Sequence, residues 1–161
     1  MTVCLQAPLF GSPQAELTSD DYYTPRHVFD RLAIRFDMDV ASPEGGSPWV
    51  PADRYLTVKD DALSIPWRGR VWMNPPYSNV TPWWERFSAH GNGIALLPMA
   101  KSYWVNRVWD EADGVVIGEN GGEMKFTRPG RSPMRIWFPV FFAAFGDECV
   151  EAIGRIGRVR R

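Results

Sequence analysis

The chain is poor in the residues that most often carry covalent or metal chemistry. Its 161 residues include two cysteines, Cys4 and Cys149, and two histidines, His27 and His90. Two thiols so far apart give neither a disulfide framework nor a paired metal-binding spacing, so a reducing compartment is expected and no metal. The histidines have no ligand partners at metal-binding spacing and are assigned no role. No nucleophile elbow is present, and neither cysteine sits in the Pro-Cys turn that a covalent attack on cytosine carbon would use. Glycine-rich phosphate fingerprints are missing as well: Gly91-Asn92-Gly93 and the stretch from Gly118 to Gly122 lack the required spacing, which disfavours ATP and NAD. An excess of one charge is also lacking. Eighteen Lys and Arg stand against nineteen Asp and Glu, a net charge of −1, so the chain is no general polyanion binder and any phosphate contact must come from local clusters. No apolar run approaches the length that spans a bilayer, and Met1 to Phe10 has no basic region ahead of an apolar segment. The expectation is a cytosolic protein with no membrane partner.

With 45% hydrophobic content, a chain of this length can bury one sizeable core, and a single domain over 20–161 is expected. Residues 1–19, with Pro8, Gly11, Ser12 and Pro13, read as an irregular arm. Thr24-Pro25 reads as a helix start, Thr24 as N-cap and Pro25 in the first turn, followed by Val28, Phe29, Leu32, Ala33 and Phe36 at helical spacing. Asp37 to Ala41 reads as a short strand ended by the turn-rich Ser42 to Pro48, and Tyr55 to Val58 as a further strand. Arg70 to Met73, Ile94 to Pro98, Gly114 to Ile117 and Ile136 to Phe145 are strand candidates, the last of them antiparallel. Helices are expected over Pro82 to His90, Lys101 to Ala112 and Asp147 to Val159. This alternation points to an α/β fold with a mostly parallel central sheet and helices on both faces.

One strand, turn and helix carries more information than the rest. The apolar Val71-Trp72-Met73 runs into Asn74-Pro75-Pro76-Tyr77, and Ser78 to Pro82 then opens a helix. Proline fixes its own φ and pushes the preceding residue towards extended geometry, so the turn is stiff before any ligand arrives. A stiff turn can aim carbonyls. An exocyclic amine on a nucleobase is a poor nucleophile because its lone pair is delocalised into the ring. Two fixed acceptors, the Asn74 side-chain oxygen and the Pro75 carbonyl, can take its two N–H bonds and favour a tetrahedral nitrogen, an effect worth roughly 2.7–4 kcal/mol per preorganised group at best. Tyr77 is placed to stack on an extruded base, since the amine of a paired base is out of reach inside a duplex. A Pro-rich turn with Tyr77 as a plain core aromatic is the alternative. Basic residues gather at Lys125, Arg128, Arg131 and Arg135 within 118–135, a Gly/Pro-rich stretch that reads as an exposed loop or hairpin and a candidate DNA-contacting element. Arg155, Arg158, Arg160 and Arg161 form a second cluster that is either a phosphate contact or a solvated tail.

Taken together, Asp20-Asp21-Tyr22-Tyr23-Thr24-Pro25, Phe36-Asp37-Met38-Asp39-Val40-Ala41-Ser42, Trp72 to Ser78 and Leu96-Leu97-Pro98 resemble the phage-type DNA adenine N6-methyltransferase (Dam) family, from about Ser19 to Gly146. The resemblance implies a Rossmann-like methyltransferase fold, S-adenosylmethionine as methyl donor and adenine N6 in double-stranded DNA as acceptor. It makes Asn74, Pro75, Pro76 and Tyr77 the catalytic loop and puts Tyr22, Tyr23, Thr24 and Pro25 beside the cofactor. Asp39, Ala41 and Ser42 match a strand-end cofactor contact, and Asp60 or Asp61 falls where an acidic residue would bond the ribose or the adenine amine. A homodimer is one way for a domain this small to cover enough duplex. The chain departs from the family at Tyr22, where tryptophan is usual, at Val40, where proline is usual, and over Gly118 to Glu123, where the family carries an Arg-Gly-Arg-type segment. Cytosine N4 or a glutamine amide as acceptor, or a non-catalytic DNA-binding protein, are the competing readings.

Overall fold

The computed structural model describes residues 22–118, 124–128, 131–135 and 138–161. The expected N-terminal arm, 119–123 and the Ile136 start of the last strand lie outside the described residues. Two strands set the core. β4 (Gly93–Pro98) and β8 (Val140–Phe145) are buried along their whole length, as expected for apolar runs without polar alternation, which must be covered on both faces. Successive side chains point to opposite sides of a strand. Ile94, Leu96, Phe142 and Ala144 therefore join Trp72 in one core, under α1 (Arg26–Leu32) and α4 (Asp147–Gly154). Ala95, Leu97, Phe141 and Ala143 join Val71 and Met73 in the other, under α2 (Thr81–His90) and α3 (Tyr103–Glu111). Three layers result, with helices on both faces.

The six-stranded sheet also contains β1 (Phe36–Asp39), β2 (Ala52–Tyr55), β3 (Val71–Met73) and β5 (Gly114–Ile117), in the order β2-β1-β3-β4-β8-β5. β2, β1, β3 and β4 run parallel; β8 is antiparallel to both β4 and β5, as its sequence suggested. Gly93 is required where β4 meets β3, because a Cβ there would strike the Val71 carbonyl. The chain moves outward from β1 to β2 and then returns to lay β3 on the other side of β1. That reversal splays the loops leaving β1 and β3 and opens a crevice at their carboxyl ends.

Several boundaries differ from expectation. α1 begins at Arg26 with Pro25 in the cap position and no side-chain cap, so Thr24 is not the N-cap. Ala33 closes that helix in a left-handed conformation, and Phe36 starts β1 instead of extending the helical face. β2 covers Ala52–Tyr55, and Val58–Asp60 is a tight 3-10 turn held by a reciprocal Thr57–Asp60 capping box. The helix after β8 stops at Gly154. Arg160 then exchanges two 2.8 Å backbone hydrogen bonds with Val115, and this short bridge occupies the outer edge of β5. Arg155 anchors the last helix turn, donating to the Leu32 carbonyl at 2.6 Å and to Glu151 at 2.9 Å.

A two-stranded ribbon, β6 (Lys125–Arg128) and β7 (Arg131–Arg135), stands apart from the sheet. It is tied to the segment before α1 by an antiparallel bridge between Tyr23 and Thr127. Phe126 is fully buried and meets the Tyr22 ring edge-on at 5.9 Å. No described helix is long and apolar enough to cross a membrane.

Candidate active site

β3 is buried throughout and delivers Asn74 to the mouth of the crevice. The Asn74 amide donates from Nδ2 to the Tyr22 carbonyl at 3.0 Å. A carbonyl can only accept, so this bond assigns the amide: nitrogen towards Tyr22, oxygen the other way. Oδ1 is buried and has no partner among the described residues. Pro75 is buried. The Pro76 carbonyl receives a long bond, 3.4 Å, from the Asn79 amide. The turn thus holds an unsatisfied acceptor, Asn74 Oδ1, next to the Pro75 carbonyl on a backbone stiffened by two prolines.

Tyr77 is half-buried. Its hydroxyl donates to the Leu96 carbonyl at 3.4 Å and its ring packs edge-on against Phe138 at 5.8 Å. Burial pushes the phenol well above its ordinary pKa, so it stays neutral. Asn74 and Pro76 line the cavity, whereas Pro75 and Tyr77 flank them in the turn without lining it.

The cavity has a volume of about 610 Å³ and occupies the crevice between the ends of β1 and β3, within the range usual for small-molecule sites. Tyr22, Tyr23, Thr24, Asp39, Ala41, Ser42 and Asp61 line it; Pro25 does not. Asp39 ends β1 with only 2% of its surface exposed. Burial raises its pKa to about 7, opposed by the Ala41 amide, which donates to it at 3.2 Å, and by the nearby Ser42 hydroxyl. The loop after β1 is pinned on both sides, by Val40 N–H to the Trp72 carbonyl and by Ser42 N–H to the Leu56 carbonyl. Trp49 Nε1 donates to the Thr24 carbonyl at 2.7 Å and fixes the opposite wall. The Thr24, Ser42 and Ser47 hydroxyls are buried without hydrogen-bond partners among the described residues. Buried polar groups are seldom left so, and all three line the cavity.

The two adjacent aspartates separate. Asp60 accepts from the Thr57 backbone and hydroxyl at 2.8 and 3.0 Å, which holds its carboxyl below the usual range, and it lies off the cavity. Asp61 lines the cavity in a left-handed conformation, braced by the Ser64 hydroxyl at 2.7 Å.

Sequence reasoning missed Glu44, Ser47, Val50, Leu56, Trp72 and Trp83, which also line the cavity. Trp72 had a readable signal, since strand alternation separates it from Val71 and Met73. Trp83, stacked on Trp67 at 6.5 Å, had none.

The basic stretch forms the β6–β7 ribbon. Its register sets Lys125 opposite Arg135 and Arg128 opposite Arg131, with an irregularity between Phe126 and Arg128. The ribbon's two strands thus carry the four basic residues at paired register positions. Residues 119–123, with the acidic departures Glu119 and Glu123, lie outside the described residues.

A family model described as DNA N-6-adenine-methyltransferase (Dam) matches residues 11–132. A DNA N-6-adenine-methyltransferase of Haemophilus phage HP1 (strain HP1c1) is 35% identical over 68 residues, which cover 39% of this chain and 38% of the phage protein. The match therefore spans well under half the length of that relative. No solved structure matches the chain.

Proposed function

The chain belongs to the DNA N-6-adenine-methyltransferase (Dam) family, and from that premise we propose that it transfers a methyl group from S-adenosylmethionine to the N6 amine of an adenine turned out of double-stranded DNA. One observation carries the reading: Asn74 Oδ1 is a buried acceptor with no hydrogen-bond partner among the described residues, on a rigid turn whose Asn74 lines a strand-end crevice. The switch point between β1 and β3 and the mostly parallel sheet support a Rossmann-like methyltransferase fold.

The cavity suits the cofactor. S-adenosylmethionine is polar at one end, cationic at sulfur and amine, and aromatic at the other end. The lining offers a buried carboxylate at Asp39, orphaned hydroxyls at Thr24, Ser42 and Ser47, and aromatic or apolar surface from Tyr22, Trp72, Val50, Leu56 and Trp83. In this reading Asp39, Ala41, Ser42 and Tyr22 to Thr24 hold the cofactor and Asp61 bonds its ribose or purine amine. Pro25 supports that wall from outside, and Asp60 leaves the set because Thr57 already engages it. When bound, the cofactor supplies a methyl group already activated by its sulfonium charge.

The protein's part is orientation and electrostatics. Asn74 Oδ1 and the Pro75 carbonyl accept the two N–H bonds of the target amine, drawing its lone pair out of conjugation and towards the methyl group. Pro76 keeps the turn rigid, and the open part of the Tyr77 ring meets the face of the extruded base. The proton displaced from nitrogen leaves to solvent. Lys125, Arg128, Arg131 and Arg135 contact phosphates and position the duplex.

Incubation of duplex DNA with the protein and labelled donor, followed by digestion to nucleosides, tests the reading. Label in N6-methyladenine is the expected result. Label in N4-methylcytosine, or in a glutamine side chain of added protein, moves the acceptor elsewhere. Binding of donor and DNA without any transfer overturns the enzymatic reading.

A further inference from the structure

An asparagine amide is an ambiguous catalytic group. A half-turn about its last torsion exchanges oxygen for nitrogen in nearly the same place, and an NH₂ facing the target's NH₂ forms no bond. At Asn74 the deciding group is the Tyr22 carbonyl, which takes the nitrogen at 3.0 Å and turns the oxygen away from it. That carbonyl is not isolated. The next residue, Tyr23, exchanges two backbone hydrogen bonds with Thr127 of β6, 3.0 Å from Tyr23 N–H to the Thr127 carbonyl and 3.1 Å in return. The Thr127 hydroxyl also lies 3.4 Å from the Tyr23 carbonyl, and the Tyr22 ring rests on Phe126. Tyr22 and Tyr23 both line the cavity as well.

We propose that residues 22–23 form a strap that aims the Asn74 amide and joins it to the basic ribbon. Tyr22 and Thr127 are then positioning residues for methyl transfer, the first through its carbonyl and the second through its amide. The inference rests on the proposed methyl transfer and adds its control: phosphate contact on β6–β7 and occupation of the cavity both act on the carbonyl that orients the catalytic oxygen. Coupling of this kind is reciprocal, so DNA tightens cofactor binding by the same factor that cofactor tightens DNA binding.

Thr127→Pro deletes the N–H that Tyr23 accepts, while Thr127→Ala keeps it. In Thr127→Pro, kcat at saturating DNA and cofactor falls by about tenfold or more, cofactor affinity in the absence of DNA stays within about threefold, and the reciprocal tightening is lost. Thr127→Ala behaves like wild type. Unchanged kcat and coupling in Thr127→Pro overturn the proposal. Asn74→Asp gives a second measurement that does not depend on Thr127→Pro folding. A carboxylate cannot face the Tyr22 carbonyl, acceptor to acceptor, unless it carries a proton. Activity of Asn74→Asp relative to wild type therefore rises as pH falls, and a ratio that is flat or rises with pH overturns the strap. If the wild-type protein transfers no methyl group, the functional reading fails independently. The strap is still tested by NMR exchange of the labelled Asn74 side-chain amide, slow in wild type and fast in Thr127→Pro, with equal rates counting against it.

Discussion

At Asn74 a single side chain is held on one side and left open on the other, and that asymmetry is the chemical content of the site. Alanine removes both the tether to Tyr22 and the acceptor, yet Asn74 is only partly buried and contributes little to the core. Asn74→Ala should lower kcat by about a hundredfold or more, the scale seen when one preorganised polar group is lost, with cofactor affinity within a few-fold of wild type. Single-turnover transfer assays and calorimetric titration check the two halves, and near-normal turnover would remove Asn74 from the mechanism. The neighbouring aspartates make a second residue-scale contrast. Asp60→Ala loses a cap on an exposed turn and should leave cofactor affinity unchanged. Asp61→Ala loses a cavity carboxylate and should weaken cofactor binding about tenfold or more. Equal affinities for the two variants would reject this division. The sequence could not choose between them, because a capping box and a ligand contact use the same residue type in the same kind of turn. The choice depends on a left-handed backbone at Asp61 that nothing in the local pattern announces.

Elements with one strong physical signature were legible, and those defined by distant partners were not. Gly114–Ile117 and Ile94–Pro98 are apolar runs bounded by breakers, and both are strands as read, the second in the middle of the sheet and the first at its edge beside β8. Tyr55 to Val58 has the composition of a strand, but Thr57 and Asp60 form a cap that turns the chain, and the strand falls on the polar Ala52–Tyr55 at the sheet edge. The ribbon was legible as a basic stretch; its attachment to Tyr23, more than a hundred residues earlier, was not. Arg128 and Arg131 are partners in the ribbon's backbone register, and converting both to alanine removes two of the proposed phosphate contacts. The double variant should bind DNA more weakly. The slope of log affinity against log salt should shrink by about 2, near 0.9 per lost contact. Fluorescence anisotropy across a salt series measures this, and an unchanged slope would take the ribbon off the DNA.

The whole molecule carries the consequence of burying Asp39. The family resemblance marked the strand-end aspartate as a cofactor contact, but its burial follows from the packing of the loops after β1, β2 and β3 around it, which a linear pattern does not contain. In the free protein its pKa of about 7 stands well above the unfolded value near 4, so between these limits the folded state binds more protons than the unfolded one. Stability must then fall as pH rises from about 4 to 7, by a few kcal/mol at most, and level off above that. Asp39→Asn cannot ionise. Its stability relative to wild type should climb over the same interval and leave the variant the more stable protein at pH 8, as chemical denaturation at several pH values will record. A cationic ligand reverses the balance because it favours the carboxylate. Cofactor affinity of the wild type should therefore rise with pH up to about 7, while Asp39→Asn binds weakly at every pH. Opposite effects of one substitution on stability and on binding are the signature of a group kept for its ligand at the expense of the fold. Denaturation curves that run parallel for the two proteins from pH 4 to 8 would instead make Asp39 a structural residue, and would leave the cavity without its anchor for positive charge.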